Sequence, residues 1–126
     1  MTEALRVTTA LVCDQVLRDA MTRKWTLIGV FDRVAVERFP SPPTGLGVYF
    51  RLEGLAGPHS WQIALVFGGA SVMTSSPMQI EPEGTQQLAG YLGLQTFPGP
   101  GRYAVDLLID GKKVASAGFV VEQRRK

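Results

Sequence analysis

Hydrophobic and polar side chains alternate strictly in four segments of this chain. The segments are residues 48–52, 61–67, 103–109 and 115–121. In the second segment, Trp61, Ile63 and Leu65 share one face, because successive side chains of a β-strand point to opposite sides. Alternation with a period of two predicts a half-buried strand in each segment.

The C-terminal part of the chain predicts a β-hairpin. Asp110 and Gly111 separate two strand-like runs, and these residue types tolerate the positive φ that a type I′ turn needs at both central positions. Tyr103 starts the first run and directly follows the proline- and glycine-rich residues 98–101. In immunoglobulin-like sandwiches, a tyrosine in this position packs in the core and bonds back to the main chain through its hydroxyl, so we expect a tyrosine corner here.

Other segments are assigned from residue types. Residues 6–13, 26–31 and 34–37 are rich in β-branched and apolar residues and predict strands. Residues 85–94 fit a strand, with a helix as the alternative, and residues 71–84 receive no assignment. The connection 14–24 has room for a turn of helix, because its apolar residues have helical spacing and Asp14 could cap its start.

These elements indicate the fold class. About seven or eight short strands with turn signals between them indicate an all-β, antiparallel β-sandwich of the immunoglobulin-like type, with a flattened barrel as the alternative. A length of 126 residues predicts one domain, covering residues 1–126. The predicted core consists of the aromatic and aliphatic residues on in-phase faces: Phe50, Trp61, Ile63, Leu65, Phe67, Tyr103, Val105, Leu107, Ile109 and Phe119.

Charge and composition exclude several function classes. The net charge of +2 is too small to indicate nucleic acid or an anionic membrane as a partner. The longest apolar run, residues 63–67, is far shorter than the roughly 18 residues that a membrane-spanning helix needs. The N-terminus has no basic region followed by a long apolar stretch, so no secretory leader is expected. Cys13 is the only cysteine, which fits a reducing compartment, and we expect a cytoplasmic protein.

Three groups of residues together carry a resemblance to a known family. They are Cys13-Asp14, the run Leu27-Ile28-Gly29-Val30-Phe31-Asp32 after Arg23-Lys24-Trp25, and the pattern Pro98-Gly99-x-Gly101-x-Tyr103 followed by Asp110-Gly111. The chain resembles, over most of its length, an uncharacterised family of small bacterial β-sandwich proteins. The resemblance implies a stand-alone sandwich in a bacterial, intracellular setting. It implies no activity and no site residues.

Residues that carry catalysis are scarce. His59 is the only histidine and is expected to be an exposed loop residue. One histidine and one cysteine cannot supply the several ligands of a usual His/Cys metal site, so no metal or cofactor is expected. Cys13 lies in an apolar strand and is expected to be an inert buried residue rather than a nucleophile. No nucleophile elbow and no phosphate-binding loop is present, and we therefore expect a protein without enzymatic activity.

Two basic stretches were weighed as nucleic-acid sites. Arg23 and Lys24 precede Trp25, and residues 124–126 form a basic tail. Charges of this number are usually solvated, so nucleic acid is not expected as a partner. Trp25 and Trp61 could form a sugar-stacking surface, although Trp61 alternates in phase with core residues and is expected in the core.

An interaction or structural module is therefore the function expected. Its contacts would be formed by a sheet edge or by the 14–25 connection, which mixes apolar anchors with cations, and its partner would be another protein or a second copy of the chain. The candidate partner-binding residues are Leu17, Met21, Arg23, Lys24 and Trp25. In the alternative interpretation, Leu17 and Met21 only cap the open end of the sandwich. The alternative function is a small-ligand or carbohydrate-binding β-sandwich.

Overall fold

The computed structural model describes residues 5–80 and 83–124, and the side chains of residues 83–85 are not described. Ten strands follow one another in these ranges. They are β1 (Arg6–Arg18), β2 (Trp25–Phe31), β3 (Arg33–Val36), β4 (Thr44–Ala56), β5 (His59–Phe67), β6 (Ala70–Thr74), β7 (Met78–Ile80), β8 (Glu83–Gln95), β9 (Gly101–Ile109) and β10 (Lys112–Gln123). In the part of the chain that the structure describes, no helix has the length and apolar character needed to cross a membrane.

The strands form two sheets that pack against each other. One sheet has four strands in the order β2-β1-β4-β8, and the other has the order β3-β10-β9-β5-β6, with β7 also paired to β5. All the pairs are antiparallel except β3 and β10, which run parallel. The chain passes from the first sheet to the second at Asp32, whose carbonyl accepts a hydrogen bond from the amide of Val120. The antiparallel sandwich predicted from the sequence is confirmed.

The core lies between the inner faces of the two sheets. Val48, Phe50 and Leu52 of β4 are fully buried, whereas Tyr49 and Arg51, on the other face, are only half-buried. The alternation therefore corresponds to inside and outside, as period two requires. Of the ten predicted core residues, Phe67 alone is half-buried, because it lies at the end of β5, where its ring stacks on Tyr103 at a centroid distance of 4.2 Å.

The C-terminal hairpin has the predicted geometry. Asp110 and Gly111 have φ values of 50° and 83°, and Ile109 pairs with Lys112 across the turn, so both central residues adopt the left-handed conformation of a type I′ turn. The Tyr103 hydroxyl donates a hydrogen bond of 2.7 Å to the carbonyl of Gly99 while its ring is buried. The tyrosine corner is confirmed.

Three details differ from the expectations. Ten strands are present rather than seven or eight, because residues 71–84 contribute β6, β7 and the start of β8. Residues 85–94 lie in strand β8, which excludes the helical alternative. The helical turn proposed in residues 14–24 is wrong: β1 continues to Arg18, because pairing with β2 supplies the hydrogen bonds that a helix would have made.

Candidate interaction surface

The β1–β2 hairpin extends beyond the sheet to which it belongs. Strand β4 pairs with β1 only as far as Cys13, whereas β2 pairs with β1 as far as Arg18. We call the part beyond Cys13 the arm: residues 14–18 of β1, the turn 19–24, and residues 25–29 of β2. The arm therefore has one neighbouring strand where the rest of β1 has two.

The turn of the arm is held together by its own hydrogen bonds. The Asp19 carboxylate accepts hydrogen bonds from the amides of Met21 (2.9 Å) and Thr22 (2.7 Å). These bonds lower the pKa of Asp19, because they stabilise its charged form. The Asp19 main chain also bonds to Arg23 and Lys24. Arg23 has a φ of 62°, a conformation that few non-glycine residues adopt, and the turn is thus a defined structure.

A cation and an aromatic ring lie together at the base of this turn. The Arg18 guanidinium lies over the Trp25 ring, with its carbon 5.1 Å from the ring centroid. Arg18 also donates a hydrogen bond of 3.2 Å from Nε to the Arg23 carbonyl. The cation–π contact and this hydrogen bond fix Arg18 and cover one side of Trp25, which is half-buried.

The two faces of the arm differ in exposure. Val16, Leu27 and Trp25 are half-buried, and a Val16 methyl lies 3.3 Å from the position that a Cβ on Gly47 would occupy. The opposite face carries Leu17 and Ile28, which are 44% and 43% exposed. At the tip, Met21 is 91% exposed. One face therefore packs towards the sheet and the other presents apolar side chains to solvent.

Apolar exposure continues from the arm onto the outer face of the four-stranded sheet. Val30 lies opposite Cys13, Cys13 opposite Gly47, and Gly47 opposite Tyr91, so these residues form one row across all four strands. Val30 and Tyr91 are each 52% exposed, whereas Cys13 is fully buried between them. Burial raises the pKa of the Cys13 thiol, which fits the inert role expected for it.

All five residues predicted as a partner-binding set lie on the arm. Leu17 and Met21 do not cap the sandwich, because both are exposed and neither belongs to the core. Arg23 and Lys24 are exposed in the turn, and Trp25 begins β2. The sequence interpretation missed Ile28 and Val30. Their exposure could not be anticipated because both were assigned to an ordinary apolar strand, yet the signal was present in Gly29, whose φ of 69° interrupts regular strand geometry.

The cations of the arm have no acidic partners nearby. Arg18, Arg23 and Lys24 form no ion pair with any other residue in the described ranges. The same holds for Asp32, at the far end of β2. In contrast, the adjacent Arg33 is paired with Glu122 at 2.7 Å. Of the predicted basic tail, residues 125–126 lie outside the described residues.

The prediction for His59 was wrong. Its ring is half-buried at the start of β5, with Nδ1 2.5 Å from the Asp110 carboxylate and Nε2 2.7 Å from the Ala56 carbonyl. Both ring nitrogens face acceptors, so the protonated ring satisfies both contacts. The Asp110 hydrogen bond raises the pKa of His59, and the same contact lowers the pKa of Asp110. Asp110 also accepts a hydrogen bond from the Ser60 amide at 3.0 Å.

Other candidate sites are shallow. Within the described ranges, no group of three or more His, Cys, Asp or Glu side chains converges on a possible metal position. One depression of about 340 Å³ is lined by Leu11, Val30, Phe31 and Asp32. Another, of about 270 Å³, lies on the second sheet beside Arg102. Trp61 is 7% exposed, and Arg18 covers Trp25, so neither tryptophan offers a free face for sugar stacking.

The fold and this surface define an all-β sandwich with a projecting hairpin arm. The chain belongs to a family of unknown function, DUF6941, which it matches over residues 8–122. The arm lies inside the matched region. Among curated proteins, none matches the sequence.

Two solved structures are similar to this chain in fold. One is the Pseudomonas fluorescens alkylpurine DNA glycosylase AlkC bound to DNA containing an abasic site analog, with a TM-score of 0.54 and 14% identity. The other is the beta-glucosidase from Listeria innocua in complex with glucose, with a TM-score of 0.52 and 12% identity. Each match covers 94% of this chain, but only 30% and 16% of those longer chains. At these identities the likeness concerns the fold alone.

Proposed function

We propose that this protein is a non-enzymatic interaction module that binds another protein through the β1–β2 arm. The observation that carries the proposal is the combination of a turn fixed by its own hydrogen bonds with apolar side chains that the turn and β2 leave exposed. Met21 at the tip is the most exposed of the large hydrophobic residues in the described chain. Singly scattered apolar residues need no explanation, whereas several on one projecting element suggest a contact surface.

The physical chemistry of the arm suits protein recognition. Asp19 holds the turn through hydrogen bonds to Met21 and Thr22, so binding would not have to order it, and the entropic cost of association is lowered accordingly. Met, Trp and Arg are enriched at the centres of protein interfaces. In this arm Met21 supplies an adaptable apolar contact, and Arg23 and Lys24 supply charge at the rim.

A small-ligand or carbohydrate-binding role is the alternative, and the apolar depression beside Phe31 is the place in the structure that favours it. That depression is lined by Leu11, Val30, Phe31 and Asp32. Three apolar side chains and one carboxylate provide few convergent polar groups to orient a sugar. We therefore place the protein-binding role first.

We also propose that the protein acts in the bacterial cytoplasm. The support is the resemblance noted in the sequence and the single cysteine, which is free and buried. A protein of an oxidising compartment more often carries paired cysteines. Fractionation of the native cells, followed by detection of the protein in each fraction, tests this assignment.

The double variant Arg23→Ala/Trp25→Ala tests the proposed function. The wild-type protein is isolated from its native cells, the protein that accompanies it is identified and purified, and its affinity is measured by calorimetry. The double variant should fold and bind that protein at least about tenfold more weakly. The matched control is Val72→Ala/Lys112→Ala, which changes an exposed apolar residue and an exposed cation on the other sheet and should bind normally. Equal affinity of the folded double variant and the wild type would refute the arm as the binding surface.

A further inference from the structure

We infer that the partner of the arm is a second copy of this chain, and that β2 of one copy pairs antiparallel with β2 of the other around a two-fold axis at Ile28. The inference rests on the proposed function, because it uses the same surface. It would join the two four-stranded sheets into one sheet of eight strands. An interface in which both copies use the same patch closes as a dimer.

Strand β2 is the least protected edge among the described strands. The edge strands β3, β6 and β7 have only three to five residues. The long edge strand β8 has two register shifts in its pairing with β4, and such bulges hinder the addition of another strand. In contrast, the seven-residue strand β2 pairs with β1 in one constant register. Its second edge is open along this length.

The side chains of β2 also lack the charges that usually protect an edge. Thr26, Ile28 and Val30 are exposed, and none of them is charged. In an antiparallel pairing centred on Ile28, Ile28 lies opposite its own copy and Thr26 lies opposite Val30. Pairs of β-branched residues across neighbouring strands stabilise a sheet, so this register would bury the exposed apolar side chains of β2 against one another.

Charge complementarity selects the register. Lys24 and Asp32 flank β2, one residue beyond each end, and both are exposed. The register centred on Ile28 places Lys24 of each copy opposite Asp32 of the other, which forms two symmetric pairs of opposite charge. Neither residue has an ion-pair partner elsewhere in the described ranges. Arg33, which would approach Arg23 of the second copy, is already neutralised by Glu122.

The same arrangement accounts for Met21. The turn of one copy would arrive at the Asp32 end of β2 in the other copy. The depression lined by Leu11, Val30 and Phe31 lies at that end. Met21 cannot reach this depression on its own chain, because about seven strand residues, roughly 23 Å, separate Leu11 from the end of β1. Only a second copy can therefore place the methionine there.

A cysteine at the two-fold axis tests the register directly. In full-length protein, Ile28→Cys should form a disulfide between two copies, because opposite residues of an antiparallel pair lie within disulfide distance. The native Cys13 is fully buried and does not compete. The control is Val72→Cys, an exposed valine on β6, which should stay largely monomeric under the same mild oxidation. Equal covalent dimer yields from the two variants, or none from Ile28→Cys, would overturn the register.

Charge reversal provides a second readout by analytical ultracentrifugation. The wild type should form dimers, and Lys24→Asp and Asp32→Lys should each weaken dimerisation by about tenfold or more. The double variant Lys24→Asp/Asp32→Lys restores opposite charges and should recover most of the affinity. A monomeric wild type at submillimolar concentration, or a double variant no better than the single ones, contradicts the inference. The proposed function stands in that case if Arg23→Ala/Trp25→Ala still loses a different protein, so the two failures can be told apart.

Discussion

Two hairpins of this protein follow the same plan and end differently. Each joins a pair of long antiparallel strands, and each turn is organised by an aspartate carboxylate. In the β9–β10 hairpin, Asp110 bonds to His59 and Ser60, which belong to another strand. In the β1–β2 hairpin, Asp19 bonds only to its own turn. The first hairpin is tied to the sandwich at its tip, and the second stands free.

The difference shows how one element serves either stability or recognition. A tip that bonds to neighbouring strands contributes to the stability of the domain, and changes there should be felt throughout it. A tip that is ordered by itself can present side chains such as Met21 without depending on the core. Changes in the arm should therefore alter binding and leave the free energy of unfolding nearly unchanged.

The two tryptophans give the largest contrast. Trp61 is almost fully buried between the sheets, so Trp61→Ala leaves a cavity and should lower the free energy of unfolding by about 3–5 kcal/mol. Trp25 lies on the arm under Arg18, and Trp25→Ala should cost about 1 kcal/mol. Urea unfolding followed by circular dichroism measures both values. A similar loss for the two variants would mean that the arm is part of the structural core.

The two turns give the next contrast. Gly111 has a φ of 83°, which a β-branched residue adopts only with strain, so Gly111→Val should lower the free energy of unfolding by about 1–3 kcal/mol. Arg23 has a comparable φ of 62° in the turn of the arm. Arg23→Gly relieves the strain there and should leave the unfolding midpoint unchanged or slightly higher. An unchanged midpoint for Gly111→Val would contradict the type I′ turn.

The smallest effect concerns pH and the tie between the β9–β10 turn and His59. The pKa of His59 is raised in the folded protein, so its contribution is complete below pH 6.5 and is lost as the pH rises through the folded value. The pKa of Asp110 is lowered, so its contribution is present above pH 3.8 and is lost as the pH falls through the folded value. The pair therefore stabilises most between these limits.

Melting curves of wild type and His59→Asn across this range check the expectation. The difference between their melting temperatures should be largest at mildly acidic pH and shrink above neutrality. Asp19→Asn serves as the matched change in the arm, and it should show no such dependence near neutral pH, because no histidine contacts that turn. A difference between wild type and His59→Asn that stays constant with pH would show that the tie does not depend on the charge of the ring.

The sequence predicted most of the sandwich because its signals were local. The alternation in β4, β5 and β9, the Asp110-Gly111 turn and the tyrosine corner at Tyr103 each depend on a few neighbouring residues. The parallel pairing of β3 with β10 depends on contacts between residues that are distant in the chain, such as Val34 and Val121, and had no local signal. Residues 14–24 misled because apolar residues with helical spacing also suit a strand with one exposed face.

The candidate site was predicted in composition but not in shape. Leu17, Met21, Arg23, Lys24 and Trp25 were identified as a mixture of apolar anchors and cations, and all of them lie on the arm. Their arrangement depends on where β4 stops pairing with β1, which no residue of the arm itself encodes. The contact of His59 with Asp110 was missed for the same reason, since 51 positions separate the two residues in the chain.

Site-specific photo-crosslinking compares the two hairpin tips most directly. A photoreactive residue replaces Met21 at the tip of the arm in one variant and Lys112, beside the Asp110-Gly111 turn, in another, and both are irradiated in native cells. We predict protein crosslinks from position 21, either to a second copy or to another protein, and few or none from position 112. Equal crosslinking at the two positions, or none at position 21, would contradict the assignment of the arm as the interaction surface.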